Sequence, residues 1–185
     1  MRISTISAAA LVLGLGACGS SQTDSQSQAP ATPATATATP KQAVAMIQTA
    51  DGQPAGSATA TETPDGLTIA LDVTGIAPGE HGVHVHTTGS CEPPKFESAG
   101  GHWNPTEKHH GLDNPQGHHA GDMPNLTVAA DGTGKLNYTL AGATLAGLLD
   151  ADGSAFVIHA KSDDQKSDPS GNSGDRIACG VFSAS

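Results

Sequence analysis

The sequence predicts an all-β domain, a two-layer antiparallel sandwich or flattened barrel. Three observations carry this. Eight short runs rich in alternating apolar residues lie between turn signals such as Asp-Gly and Pro-Asp-Gly. Helical periodicity is weak throughout. Only 3% of residues are aromatic while 23 of 185 are glycine, a composition of short strands and turns. Length suits one ordinary domain with extensions.

The strands follow in order. AVAMIQT (43–49), GSATATET (56–63) and LTIALDVTG (67–75) form a meander. VHVH follows at 83–86. NLTVAADG (125–132), GKLNYTLAG (134–142), AFVIHA (155–160) and RIACGVF (176–182) complete the set. LAGLLDADG (145–153) has room for one helical turn. Two long loops, 88–124 and 161–175, interrupt the strands. Loops of that length in a compact domain are usually functional.

The segment before these strands has a different character. Arg2 is followed by an apolar stretch rich in Ala and Leu, ending in Leu15-Gly16-Ala17-Cys18. It is short for a membrane span and reads as an export signal over residues 1–17. The LGAC ending resembles the lipobox of bacterial lipoproteins. That resemblance implies cleavage before Cys18, a lipid on that cysteine and a location in the bacterial cell envelope, facing the periplasm. Residues 18–40 carry Ser, Gln, Ala, Thr and Pro with almost no large apolar side chain, so they read as a disordered tether. The folded domain is expected over 41–185.

Net charge is −10, and loss of Arg2 with the signal would make it −11. Nucleic acid is excluded as a partner, since binding it needs a basic footprint. Of three cysteines, a lipidated Cys18 leaves Cys91 and Cys179, which an oxidising compartment lets pair. Closing so long a loop is worth about 4–5 kcal/mol in the chain-entropy model.

The histidines carry the chemistry. In HGVHVH (81–86), His84 and His86 are two apart on a strand, so both rings leave one face while Val83 and Val85 leave the other. His81 shares the valine parity and is a poor ligand. GGHWNPTEKHHGLDNPQGHHAGD (100–122) holds five histidines in a loop that no regular element orders. His102, His110, His119 and Asp122 could close around one cation, as three imidazoles and a carboxylate do for tetrahedral Zn²⁺. In each doublet, His109-His110 and His118-His119, spacing alone leaves the choice of ring open. His159 ends the strand FVIH and by itself reads as solvent-facing, and Asp163 in SDD by itself reads as a solvated turn.

Together these residues resemble the Cu/Zn superoxide dismutases over about 41–185, through HVH, GGHWNP, H-G-x7-H-x-G-D, VIHAKSDD and GDRIACGV in the family's order. The resemblance implies an eight-stranded Greek-key β-barrel. It implies one copper per subunit on His84, His86, His102 and His159, and one zinc on His102, His110, His119 and Asp122. Family spacing steps eight residues from His102 to His110, nine to His119 and three to Asp122, leaving His109 and His118 beside the ligands. It also implies the Cys91–Cys179 disulfide, an active-site Arg176, and an Asp163 that bridges His110 to His86 or a neighbour.

The implied activity is dismutation of superoxide to O₂ and H₂O₂, with His102 bridging the metals and carrying a proton. Arg176 is the only arginine besides Arg2 and would draw the anion toward an acidic protein. Lys161 and Lys166 read as solvated surface. The alternative is a non-catalytic copper- and zinc-binding lipoprotein on the same scaffold. It would be marked by loss of a copper ligand or of the arginine, and both are kept here. The loops 92–101 and 162–175 vary among branches of the family, which leaves a homodimer and its interface open.

Overall fold

A computed structural model describes residues 42–185. The export signal, Cys18, the tether and Lys41 lie outside the described residues. β1 (Gln42–Thr49), β2 (Pro54–Thr63) and β3 (Gly66–Val73) form the expected meander. β4 (Gly79–His81) and β5 (Val83–His86) follow, then β6 (Leu126–Val128), β7 (Gly134–Ala141), β8 (Ala155–His159) and β9 (Arg176–Ala184). The expected helical turn, α1 (Leu145–Leu148), is capped by Thr144, whose hydroxyl accepts from the Gly147 N–H at 3.1 Å. Among the described residues, no helix is long and apolar enough to cross a membrane.

Among the described residues nine strands appear where the sequence predicts eight, and Gly82 is the reason. All pairings are antiparallel, in the order β4-β6-β7-β3-β2-β1-β9-β8-β5. The two ends of this order, β4 and β5, are consecutive in the chain and separated by Gly82 alone. One strand thus changes partner midway, from β6 to β8, and brings the sheet round on itself. Counted as one, it restores eight strands and a nearly closed barrel. Gly82 donates to the Lys161 carbonyl (2.8 Å), and its own carbonyl accepts from the His159 N–H (2.9 Å). A Cβ there would meet Ser173 Cβ at 2.9 Å and Asp163 Cβ at 3.2 Å, so the loop 161–175 can pack against the strand only where a side chain is missing.

The barrel interior follows strand alternation. Ala43, Ala45 and Ile47 of β1, Ala58 and Ala60 of β2, and Leu67, Ile69 and Leu71 of β3 point inward. Val83, Val85, Phe156 and Ile158 complete that wall. β5 and β8 are buried along their whole length, on both faces. This accounts for the unbroken apolar run AFVI. The outer face of β8 carries Ala155 and Val157 into a second small core with Phe96, Ala99, Cys91 and Cys179. Cys91 and Cys179 are bonded, their Cα atoms 5.7 Å apart, as expected. The outer face of β5 carries His84 and His86 beneath the same loop system.

Candidate metal centre

Each of His84, His86, His102 and His159 has one ring nitrogen engaged and one without a protein partner. His84 Nε2 donates to Asp163 Oδ2 (2.6 Å), and His86 Nδ1 donates to the Gly100 carbonyl (3.0 Å). His159 Nδ1 donates to the Gly174 carbonyl (3.1 Å). His102 Nδ1 faces Asp122 Oδ1 at 3.0 Å. The remaining nitrogens, Nδ1 of His84 and Nε2 of the other three, are buried and unpaired. The donor atoms of these four rings lie within 4.8 Å of one another. Burial pushes His84 down to about 3, against its bond to Asp163, and His159 down to about 4, against its bond to the Gly174 carbonyl. It lowers His86 and His102 as well. The rings are neutral at neutral pH, and their four free nitrogens lie together in one buried cluster. Four imidazoles suit a tetragonal Cu²⁺.

The second cluster surrounds Asp122. Its Oδ2 accepts from the backbone N–H of Gly111 (2.8 Å) and of His119 (3.0 Å). Its Oδ1 is met by Nδ1 of His102, His110 and His119, at 3.0, 3.1 and 3.3 Å. His119 Nδ1 is also 3.3 Å from His102 Nδ1. Ligand atoms at about 2.0–2.1 Å from a four-coordinate Zn²⁺ are spaced by about 3.3 Å. The four atoms therefore fit that ion. His84 lies close enough to group with His102, His110 and Asp122 within 4.8 Å, but its one free nitrogen belongs to the first cluster, and His119 is the fitting fourth donor. Burial opposes the carboxylate of Asp122, yet its three imidazole neighbours hold it well below the ordinary range. Burial likewise opposes a charged His110, but Asp122 and Asp163 outweigh it and raise the ring to about 9.

Most of the expected site residues meet here. His102 shares in both clusters, one nitrogen in each. Asp163, solvent-facing when judged by itself, is buried and spans the two clusters through His84 and through His110 Nε2 (3.0 Å). Its partner on the first cluster is His84, because His86 spends its second nitrogen on Gly100. His159 is buried too, under the loop that supplies Gly174. His81 stays out of both clusters, its nitrogens facing the carbonyls of His159 (2.7 Å) and Ala77 (2.9 Å). His109 is exposed and pairs with Asp168. His118 turns Nδ1 to the His119 carbonyl (2.7 Å).

Arg176 lies beside the first cluster. Its Nη1 donates to the Phe96 carbonyl and its Nη2 to the Gly100 carbonyl, each at 2.6 Å. It lines a cavity of about 300 Å³ with His86, His102, His159 and Ser170. Sequence reasoning missed Asn125, whose amide clasps the main chain of Asp163 at both its N–H (2.7 Å) and its carbonyl (2.9 Å). An Asn opening a strand has no local mark of such a task.

Fold and site together define a β-barrel protein with two adjacent clusters of metal-ligating side chains that share one imidazole. The family model for copper/zinc superoxide dismutase matches residues 54–182. A superoxide dismutase [Cu-Zn] of Caulobacter vibrioides is 44% identical over 147 residues, covering 76% of this chain and 84% of that protein. The superoxide dismutase-like protein YojM of Bacillus subtilis is 44% identical over 144 residues, covering 74% of each chain. A crystal structure of a SOD-like protein from Bacillus subtilis superposes with a TM-score of 0.71 at 42% identity, over 75% of this chain and 96% of that one. The Cu/Zn superoxide dismutase from Brucella abortus gives 0.65 at 29% identity, over 77% and 99%. The chain belongs to the copper/zinc superoxide dismutase family, and copper and zinc are its cofactors.

Two outcomes are expected of the second cluster. His110→Ala and His119→Ala should each lose most bound zinc, whereas His109→Ala and His118→Ala should keep wild-type zinc content by elemental analysis. A zinc site emptied by His109→Ala but not by His110→Ala would shift the register by one residue. The second outcome concerns pH. His110 of the metal-free chain keeps a proton up to about pH 9, so zinc must displace it at neutral pH. Apparent zinc affinity should climb with pH from 6 to about 9 and then level, with proton release measurable by calorimetry in buffers of different ionisation enthalpy. A flat profile across neutral pH would contradict the raised ring.

Proposed function

We propose that the protein dismutates superoxide, turning two superoxide anions and two protons into O₂ and H₂O₂. The observation that carries this is His102, whose Nε2 belongs to the four-nitrogen cluster and whose Nδ1 belongs to the Asp122 cluster. In this reading His84, His86, His102 and His159 hold copper, and His102, His110, His119 and Asp122 hold zinc. Copper would supply the one-electron exchange, since it has two accessible oxidation states and Zn²⁺ has one.

The chain's own residues do the rest. Arg176 draws the anion into the cavity and orients it there. His102 would take up a proton at Nε2 when that nitrogen is free of copper and give it to the reduced product, the second proton coming from water. The Asp122 cluster keeps the far nitrogen of His102 fixed, so the ring returns to the same place. Asp163 keeps His84 and His110 in register, and Asn125 keeps Asp163.

Binding without turnover is the second reading, favoured by the dismutase-like names of the Bacillus relatives. Against it stand the complete four-nitrogen cluster and Arg176. A dismutation assay on the copper- and zinc-loaded protein separates the two, and no activity at full metal content would leave binding alone.

The proposal also places the protein in the bacterial envelope, held by a lipid on Cys18 and facing the periplasm, on the strength of the LGAC motif. Cys18→Ser should then shift the protein from the membrane fraction to the soluble one or leave it unprocessed. An unmodified wild-type Cys18 by mass spectrometry would refute the anchor.

Arg176 gives the sharper test of mechanism. A monoanion approaching a chain of net charge −10 is opposed by the bulk field, and local focusing can raise on-rates by about 10–10³. Arg176→Ala should lower the dismutation rate constant at least several-fold with both metals retained, and Arg176→Glu should lower it further. The wild-type rate should fall as salt rises, screening acting over about 8–10 Å at physiological strength. The Ala variant should be flat or reversed. Pulse radiolysis at several ionic strengths measures this, and an unchanged rate in fully loaded Arg176→Ala would make the residue an ordinary surface charge.

A further inference from the structure

Phe96 lies in the loop between Cys91 and His102. Its backbone is left-handed, φ 54° and ψ 25°, a conformation that bulky side chains rarely adopt. Such outliers persist where the surroundings over-determine them. The surroundings here are clear. Between Cys91 and Ala99, Phe96 is the one buried residue, and Glu92, Pro93, Pro94, Lys95 and Glu97 are exposed. Its ring is 2% exposed, in the small core with Ala99, Ala155, Val157 and the Cys91–Cys179 bridge. Its carbonyl accepts from Arg176 Nη1 at 2.6 Å. Four residues on, the Gly100 carbonyl accepts both Arg176 Nη2 (2.6 Å) and His86 Nδ1 (3.0 Å). Two carbonyls, one on each side of the short turn 97–99, thus form a fork that matches the planar fork of the guanidinium.

The fork has an alternative to exclude. Arg176 separates the metal-side cavity from an outer cleft of about 490 Å³, lined also by Lys95, Glu97 and Asp175. A guanidinium released from the Phe96 carbonyl has room in that cleft and two carboxylates to meet there, Asp175 and a Glu97 that Lys95 faces at 3.8 Å.

We propose that Phe96 is the positioning residue of Arg176: its buried ring holds the carbonyl that keeps the guanidinium turned toward the metal-side cavity and out of the outer cleft. The disulfide fixes Cys91, five residues away, and the ring sets the last part of the loop. The consequence for turnover rests on the dismutase reading above, while the positional claim does not.

The test uses the copper- and zinc-loaded protein, with copper reduced by ascorbate so that it is diamagnetic, in wild type and in Phe96→Leu, Phe96→Val and Phe96→Ala. Nitrogen-15 NMR of the Arg176 guanidinium, assigned with Arg176→Lys, reads its anchoring. Wild type should show separate Nη signals, because both groups are held. The signals should average progressively from Leu to Val to Ala, with thiol titration showing the disulfide intact and zinc content unchanged. If Ala does not fold, Leu and Val decide. Folded variants that all keep the wild-type pattern would overturn the proposal. Dismutation rates report separately: the freed variants should lose rate several-fold and part of the salt dependence. A freed guanidinium with an unchanged rate would support the positional role of Phe96 and count against the steering role of Arg176.

Discussion

Four buried imidazole nitrogens, on His84, His86, His102 and His159, converge without a protein partner. Much else in the molecule follows from keeping them that way. A buried polar atom left unpaired costs about 1–3 kcal/mol, so the cluster is tolerable only with something to satisfy it. Each ring must also be neutral and in one tautomer. Burial secures the first, and the second is settled by what the opposite nitrogen meets: Asp163, the Gly100 carbonyl, Asp122 and the Gly174 carbonyl. Metal binding is in this sense part of folding, because the donor set is assembled only when both long loops are in place.

The loops are accordingly built to close over one wall of the barrel. β5 and β8 turn apolar side chains inward and need cover on their outer faces, which loops 88–124 and 161–175 supply. The approach is close enough to dictate glycine. Gly82 lets Ser173 and Asp163 pack against the strand, and at Gly171 a side chain would run into the Asp163 carboxylate. Hydrogen bonds then tie one loop to the other. Asp168 accepts from the His110 N–H, and Asn125, three residues past Asp122, clasps Asp163. A change at either loop therefore reaches both clusters through Asp163.

What could be read in the sequence depended on whether a residue's role is local. His84 and His86 share a face by strand alternation, and that holds. His110, His119 and Asp122 were separable from His109 and His118 only by family spacing, and the geometry groups the same three, with the extra rings on Asp168 and the His119 carbonyl. The β-class was legible, as was the helical turn at Leu145–Leu148, while the 3-10 turn at Glu97–Ala99 was not. The partner change at Gly82 was not, since alternation continues through it. His159 and Asp163 read as solvated by themselves because the loop that buries them has no periodic signal. Asn125 and Phe96 were out of reach for a stronger reason. Their partners stand 38 and 80 residues away, and nothing at either position distinguishes an ordinary strand start or a loop aromatic.

The two clusters share His102 but differ in degree of access: His86, His102 and His159 of the first line the cavity, whereas the second reaches it only through His102 and His119, and that difference assigns their roles in the proposed reading. His110 and Asp122 are completely buried, with the carboxylate accepting two backbone N–H groups besides facing three imidazoles. A cation there can fix charge and geometry but cannot readily exchange anything with solvent. The four-nitrogen cluster opens on a cavity that Arg176 also lines. A small anion can reach that side, and a proton at His102 Nε2 would be delivered there. Burial lowers the guanidinium's affinity for its proton, partly offset by Glu97, but from so high a starting point that it stays charged at neutral pH. The arrangement puts one permanent positive charge at the mouth of the cavity that the four-nitrogen cluster faces, on a molecule whose net charge is −10. Its direction depends on two carbonyls, and one of those depends on an apolar ring.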